Sequence, residues 1–211
     1  MPSPLVKICG LTRVDNALDC VKAGADMIGM VFFEKSPRNI SIDRARDITS
    51  ALPSHVLPCG VFVDEKFDTL MEIAGQCGLK GIQLHGSESP ALVKQLAEEG
   101  FTVIKAFFAA RAPNLSMAAH YPDADFCLAE YGKGVLPGGN AETWDYRLVS
   151  GMTAPAPLML AGGLTPDNVA KAVYKTSPGA VDASSGVELS HGIKDIQKVQ
   201  AFITAVNSAS D

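Results

Sequence analysis

Residues 157–188 hold the passage on which the fold is read: Pro157-Leu158-Met159-Leu160-Ala161-Gly162-Gly163-Leu164-Thr165-Pro166-Asp167, and then Ala180-Val181-Asp182-Ala183-Ser184-Ser185-Gly186-Val187-Glu188. Each part is a short apolar run that breaks into a turn of small residues. Runs of this length bounded by Gly and Ser read as buried strands. Thr165 followed by Pro166 reads as a helix cap with proline at the first helical position. Strand, turn, helix, strand, turn is the grammar of a β/α unit.

The same grammar extends back to the start of the chain. Candidate strands are Leu5–Cys9, Met27–Phe33, Val56–Val63, Gly81–Leu84, Thr102–Ala106, Asp125–Ala129, Pro157–Ala161 and Ala180–Ala183. They recur roughly every 20–30 residues, the spacing of units in a barrel of this length. Helical stripes lie between them. Val14, Ala17, Leu18 and Val21 form one, stopped by Gly24. Leu70, Ile73, Ala74 and Cys77 form a second, and Leu92, Val93 and Leu96 a third, stopped by Gly100. Ile196, Val199, Phe202, Ile203 and Val206 form the last. The helices around Ser116–His120 and Trp144–Ser150 are weakly marked. Eight strands alternating with helices predict an α/β fold, a (β/α)8 TIM barrel, as a single domain over residues 1–211. A doubly wound open sheet would show G-x-G-x-x-G after its first strand, and Gly10-Leu11-Thr12-Arg13 does not have it.

Composition agrees. With 211 residues, 47% hydrophobic and 19% charged, the chain can bury a sizeable core. The formal net charge is −5 and no Lys/Arg cluster is present, so nucleic acid is not an expected partner. No stretch approaches the roughly 20 apolar residues needed to span a bilayer, and no signal peptide is read, so no membrane is expected. Five scattered cysteines without C-x-x-C predict neither disulfides nor a zinc site, and a cytoplasmic location. No surface stripe marks an interface, which leaves monomer or homodimer open. The tail Ser208–Asp211 is expected to fray.

In a barrel of this type chemistry sits at the C-terminal ends of the strands, and phosphate often binds after strands seven and eight. Gly162 and Gly163 allow close backbone approach, and Ser184, Ser185 and Gly186 offer N–H and O–H donors. Two such loops in consecutive units predict that the ligand is a small phosphorylated molecule. Strand alternation turns Lys7 and Cys9 into the barrel. A thiol beside an ammonium is expected to have a lowered pKa. Asp182 also turns inward and is a natural partner for Lys7. Arg38 is a candidate carboxylate clamp. His85 ends strand four and Glu130 brings a carboxyl to the rim at the end of strand six.

Lys7-Ile8-Cys9-Gly10-Leu11-Thr12, Ser36-Pro37-Arg38, Gly60-Val61-Phe62-Val63, Gln83-Leu84-His85-Gly86, Leu160-Ala161-Gly162-Gly163-Leu164, Asp182-Ala183-Ser184-Ser185-Gly186-Val187-Glu188 and Gly192-Ile193-Lys194-Asp195 occur in this order. Together they resemble the phosphoribosylanthranilate isomerase family of tryptophan biosynthesis over almost the whole chain. The resemblance implies an Amadori rearrangement of N-(5-phosphoribosyl)anthranilate to the 1-deoxyribulose 5-phosphate amino-ketose. It implies Cys9 as general base, Arg38 on the anthranilate carboxylate, and the Gly162-Gly163 and Ser184-Ser185-Gly186 loops on phosphate. Lys7, His85 and Asp182 would support them. No metal and no organic cofactor are expected, since proton transfer suffices.

One unit departs from the family pattern. The family's acid is an Asp at the end of strand six, followed by G-G-T-G and F-D-W. Here the positions read Ala129-Glu130, Gly138-Gly139-Asn140-Ala141 and Trp144-Asp145-Tyr146. Glu130 keeps the carboxyl and adds a methylene, and a misplacement of about 1 Å can cost on the order of a hundredfold in rate. Pro also gives way to His191 before Gly192. Two alternatives stay open at this point. One is a related barrel isomerase of histidine biosynthesis, which would carry Asp where Cys9 stands. The other is a non-catalytic or altered-substrate phosphosugar-binding barrel.

Overall fold

A computed structural model describes residues 3–132 and 143–209. The Gly138-Gly139-Asn140-Ala141 stretch and the last two tail residues lie outside the described residues. Eight parallel strands close into a barrel in chain order. They are β1 (Leu5–Cys9), β2 (Met27–Val31), β3 (Leu57–Phe62), β4 (Gly81–Leu84), β5 (Thr102–Phe108), β6 (Phe126–Glu130), β7 (Leu158–Leu160) and β8 (Ala180–Ala183). Closure comes from β1 pairing with β8, with Lys7 in register with Asp182.

Around the barrel run α1 (Val14–Lys22), α2 (Ile42–Ala51), α3 (Phe67–Cys77), α4 (Pro90–Glu98), α5 (Val169–Thr176) and α6 (Ile196–Ser208). Local sequence sets their ends. Ser41, Ser89 and Asp195 cap α2, α4 and α6 through their side chains, and Pro90 opens α4. The two weakly marked units are 3-10 turns, Leu115–His120 and Tyr146–Gly151. A single 3-10 stretch has too few residues to print a stripe of period 3.6, which is why the sequence shows them faintly. After β8 come a 3-10 turn, Ser185–Val187, and a small antiparallel hairpin of β9 (Glu188–Ser190) and β10 (Ile193–Lys194).

Several boundaries shift from the sequence expectation, and three of the shifts lie close to the cavity at the C-terminal rim. β5 runs on to Phe108 because Phe107 and Phe108 pair with Ala129 and Glu130. Glu130 is therefore held inside the sheet, not in the loop after it. β2 stops at Val31, and Phe32 leaves the sheet to stack on Phe62 with ring centroids 5.0 Å apart. Thr165 and Pro166 do not open α5. Asn168 accepts from the Thr165 amide at 2.9 Å and donates to the Gly163 carbonyl at 2.8 Å, so an extra turn precedes Val169.

Two apolar layers result. Met27, Cys59, Ile104, Ala106, Phe108, Leu128, Met159, Ala161 and Ala180 fill the barrel interior. The larger layer, from Val6 to Val206, lies between sheet and helices. Lys105 is an exception on β5. It is fully buried on the outer side, where its Nζ donates to the carbonyls of Leu84 and Gly86 and to Glu88 Oε2 at 3.0 Å. Burying this pair is costly unless every donor is used, and here the pair ties down the loop that follows β4. Among the described residues no helix is long and apolar enough to cross a membrane, and all five cysteines are free and buried.

Candidate active site

A cavity at the C-terminal rim is lined by Cys9, Val31, Phe33, Ser36, Arg38, Val61, Val63, Gln83, His85, Glu130, Asp182 and Ser184. Six strands and the segments after β2, β3, β4 and β8 contribute, so residues spread from position 9 to position 184 meet in one place. A larger apolar cavity of about 480 Å³ lies at the other end of the barrel, beside Pro4, Pro157 and Tyr174. It gathers no acid, base or anion donor set.

Cys9, Gly29, Cys59 and Gly81 occupy one level across β1 to β4. The missing side chain of Gly29 makes room for the Cys9 thiol. A Cβ there would lie 2.8 Å from Cys9 Sγ and 3.1 Å from Lys7 Nζ. Lys7 is fully buried and its Nζ donates to Asp182 at 2.9 Å, as strand alternation predicted. Burial pushes the lysine toward its neutral form, but the charge of Asp182 and its hydrogen bond outweigh it and keep it an ammonium. The expected lowering of the Cys9 pKa does not occur. Burial pushes the thiol up, and the pull of Lys7 and Lys194 does not overcome it, partly because Asp182 acts in the opposite sense. Sequence spacing revealed the ammonium but not the counter-ion's share of it or the depth of the thiol.

Arg38 is 5% exposed, and its Nε and Nη2 donate to Glu188 Oε1 and Oε2 at 2.8 and 2.6 Å. This side-on pair uses one edge of the guanidinium. The outer edge, formed by the two terminal nitrogens, keeps a fork for a second carboxylate. Lys194 Nζ grips the same Glu188 at 2.7 Å and reaches the Ser184 carbonyl at 3.3 Å. Burial pushes the Glu188 carboxyl up, but the hydrogen bonds from Arg38 and the charge of Lys194 bring it down to about 2. The neighbours of Glu188 and Lys194 in sequence suggest no role for them. Their place as orienters of Arg38 depends on the hairpin β9–β10, which no periodicity in the sequence announces.

The two small-residue loops meet. A Cβ on Gly186 would run into the Leu164 carbonyl oxygen. In the loop after β7 the carbonyls are held by side chains. Trp144 Nε1 donates to Ala161 O at 3.0 Å, Tyr146 Oη to Gly162 O at 3.1 Å, and Asn168 to Gly163 O. The amides of Gly162 and Gly163 therefore stay uncommitted among the described residues. Trp144 and Tyr146 were seen in the sequence only as the counterpart of F-D-W, and their contact with the loop is a tertiary fact.

On the opposite wall from Cys9, Glu130 is 6% exposed, with Oε2 3.4 Å from His85 Nε2. His85 Nδ1 accepts from Gln83 Nε2 at 2.9 Å, and the ring meets Phe108 edge-on at 5.5 Å. Among the described residues no cluster of His, Cys, Asp and Glu is arranged to hold a metal ion.

A closed (β/α)8 barrel with a thiol, a carboxyl, a guanidinium fork and two joined amide-rich loops at one rim defines a barrel enzyme of the acid/base type. The family model described as N-(5'phosphoribosyl)anthranilate (PRA) isomerase matches residues 6–205. An N-(5'-phosphoribosyl)anthranilate isomerase of Desulfatibacillum aliphaticivorans is 46% identical over 198 residues, covering 94% of this chain and 90% of its own. One from Pseudomonas fluorescens strain Pf-5 is 44% identical over 216 residues, covering 100% and 99%. The crystal structure of phosphoribosyl anthranilate isomerase from Thermotoga maritima superimposes with a TM-score of 0.87 at 36% identity, covering 97% of this chain and 99% of that one. The chain belongs to the N-(5'-phosphoribosyl)anthranilate isomerase family and is an isomerase of tryptophan biosynthesis.

Proposed function

We propose that the chain, working as one domain over residues 1–211, carries out the Amadori rearrangement with Cys9 as base and Glu130 as acid. The observation that carries this reading is their placement in one cavity, on β1 and β6, beside the joined loops of Gly186 and Leu164. A solved phosphoribosyl anthranilate isomerase at 35% identity and a TM-score of 0.85 holds reduced 1-(o-carboxyphenylamino)-1-deoxyribulose 5-phosphate, which has the phosphate, ribulose chain and benzoate that such a cavity would need to grip. The amides of Gly162 and Gly163 and the Ser184-Ser185-Gly186 turn take the phosphate, and the free edge of Arg38 takes the anthranilate carboxylate.

Glu130 gives its proton to the furanose ring oxygen as the C1–O bond breaks, and the anthranilate nitrogen's lone pair forms the C=N bond. Cys9 as thiolate then takes the C2 proton. The C2–H electrons form C1=C2, and the C=N electrons return to nitrogen, leaving a neutral enolamine that tautomerises to the ketone. Lys7 and Lys194 favour the thiolate against burial. Every step is a proton transfer, so no metal or cofactor is required. We place the enzyme in the cytoplasm, with neither nucleic acid nor membrane as partner. We take it to be no larger than a homodimer, the Thermotoga maritima relative being described as dimeric; sedimentation equilibrium measures this.

The test is turnover of freshly made phosphoribosylanthranilate, followed by loss of anthranilate fluorescence. Turnover is expected from the intact chain, and Cys9→Ala and Glu130→Gln are each expected to abolish it while product-analogue binding persists. A rate no higher than the spontaneous background would overturn the reading.

A further inference from the structure

The carboxyl on β6 sits one methylene farther from its backbone than the family's aspartate would, and the cavity answers that length in two places. The Glu130 Cγ lies over Gly162, where a Cβ would come within 3.1 Å of it. The carboxyl end then stops 3.4 Å from His85 Nε2. That nitrogen is buried and has no hydrogen-bond partner among the described residues. An unpaired buried ring nitrogen is costly to leave unused. The His85 backbone is anchored by its amide donating to Phe62 O at 2.8 Å, and its ring is held by Gln83 donating to Nδ1 and by Phe108 meeting it edge-on. With Gln83 donating to Nδ1, the ring proton of neutral His85 lies on Nε2 and faces the carboxyl.

We infer that His85, oriented by Gln83, is the positioning residue that makes a glutamate competent as the acid on β6. The inference rests on the reading of Glu130 as the acid. At 3.4 Å the contact is longer than a full hydrogen bond. When Glu130 passes its proton to the ring oxygen it becomes a carboxylate, and the Nε2–H bond to it becomes charge-assisted and shortens. No proton leaves His85. The contact is strongest as charge develops on Glu130, so it accelerates ring opening more than it tightens ground-state binding. An aspartate at the same position would withdraw its carboxyl from His85 and lose that bond.

The test is a double-mutant cycle. His85→Phe removes the donor and keeps a ring against Phe108, while His85→Gln returns an amide donor near the Nε2 position. His85→Phe is expected to lower kcat by about ten- to a hundredfold, with KM and affinity for the reduced product analogue changed by no more than about twofold. His85→Gln should recover part of the loss. In the Glu130→Asp background His85→Phe should cost no more than about twofold, since the contact is already gone. An equal loss in both backgrounds, or analogue binding that falls in step with kcat, would overturn the inference and make His85 a packing residue. Full turnover by Glu130→Gln would be a different result, removing the acid reading itself and this inference with it.

Discussion

Gly186 fits against the Leu164 carbonyl so closely that there is no space between them for a methyl group. The loops after β7 and β8 are thereby one surface. Gly186→Ala must push them apart and misalign the Gly162, Gly163 and Ser185 amides. KM for the phosphorylated substrate and Kd for the reduced product analogue should both rise by about tenfold or more. Steady-state kinetics and calorimetry check this, and an unchanged Kd would mean that phosphate is held elsewhere.

Gly29 plays the corresponding part for Cys9, the proposed base. Its missing side chain leaves room for Cys9 Sγ, which would otherwise sit 2.8 Å from a Cβ. In Gly29→Ala the thiol must move, and kcat should fall on the order of a hundredfold while analogue binding holds, because displacing a reacting group by about 1 Å costs that much.

Asp182 answers a buried cation. Lys7 is fully buried and its Nζ is 2.9 Å from Asp182. Asp182→Asn keeps the shape and removes the charge, leaving an ammonium in the barrel without its counter-ion. Stability should drop by about 3–5 kcal/mol, read from the shift of the urea midpoint. A shift below about 1 kcal/mol would show that Lys7 neutralises or finds water.

The Arg38–Glu188–Lys194 cluster predicts an acid limb in stability. Glu188 is held at about 2, below its ordinary 4.5, so the folded state binds this proton less readily than the unfolded one. Its contribution is complete above about 4.5 and is lost as pH falls through that value toward about 2. Urea midpoints measured across that window should decline, and Glu188→Gln should flatten the part of the slope that Glu188 carries. An identical slope in the variant would refute the assignment.

The loops after β7 and β8 were legible because small residues interrupt apolar runs, a local pattern with a local cause. Lys7 and Asp182 were legible as an inward pair because strand alternation fixes the face of each residue once the strand is known. Glu130 was legible as a rim carboxyl, but its membership of β6 was not, since that follows from Phe108 pairing across from it. The helix start at Thr165 was misread because Asn168, three residues on, ties back to Thr165 and Gly163.

The sequence by itself determined the eight strands, the barrel class, the inward pair Lys7 and Asp182, the two small-residue loops and the family motifs, all of which rest on period and nearest-neighbour chemistry. Only the tertiary structure decided what surrounds each group. It decided that Cys9 is raised by burial and not lowered by Lys7, and that Glu188 and Lys194 orient Arg38 from the far end of the chain. It also decided that His85 stands where the longer carboxyl of Glu130 ends. The reason is physical: periodicity reports which way a side chain points, whereas desolvation and charge depend on every atom within a few ångströms, and barrel closure brings those atoms from distant parts of the chain.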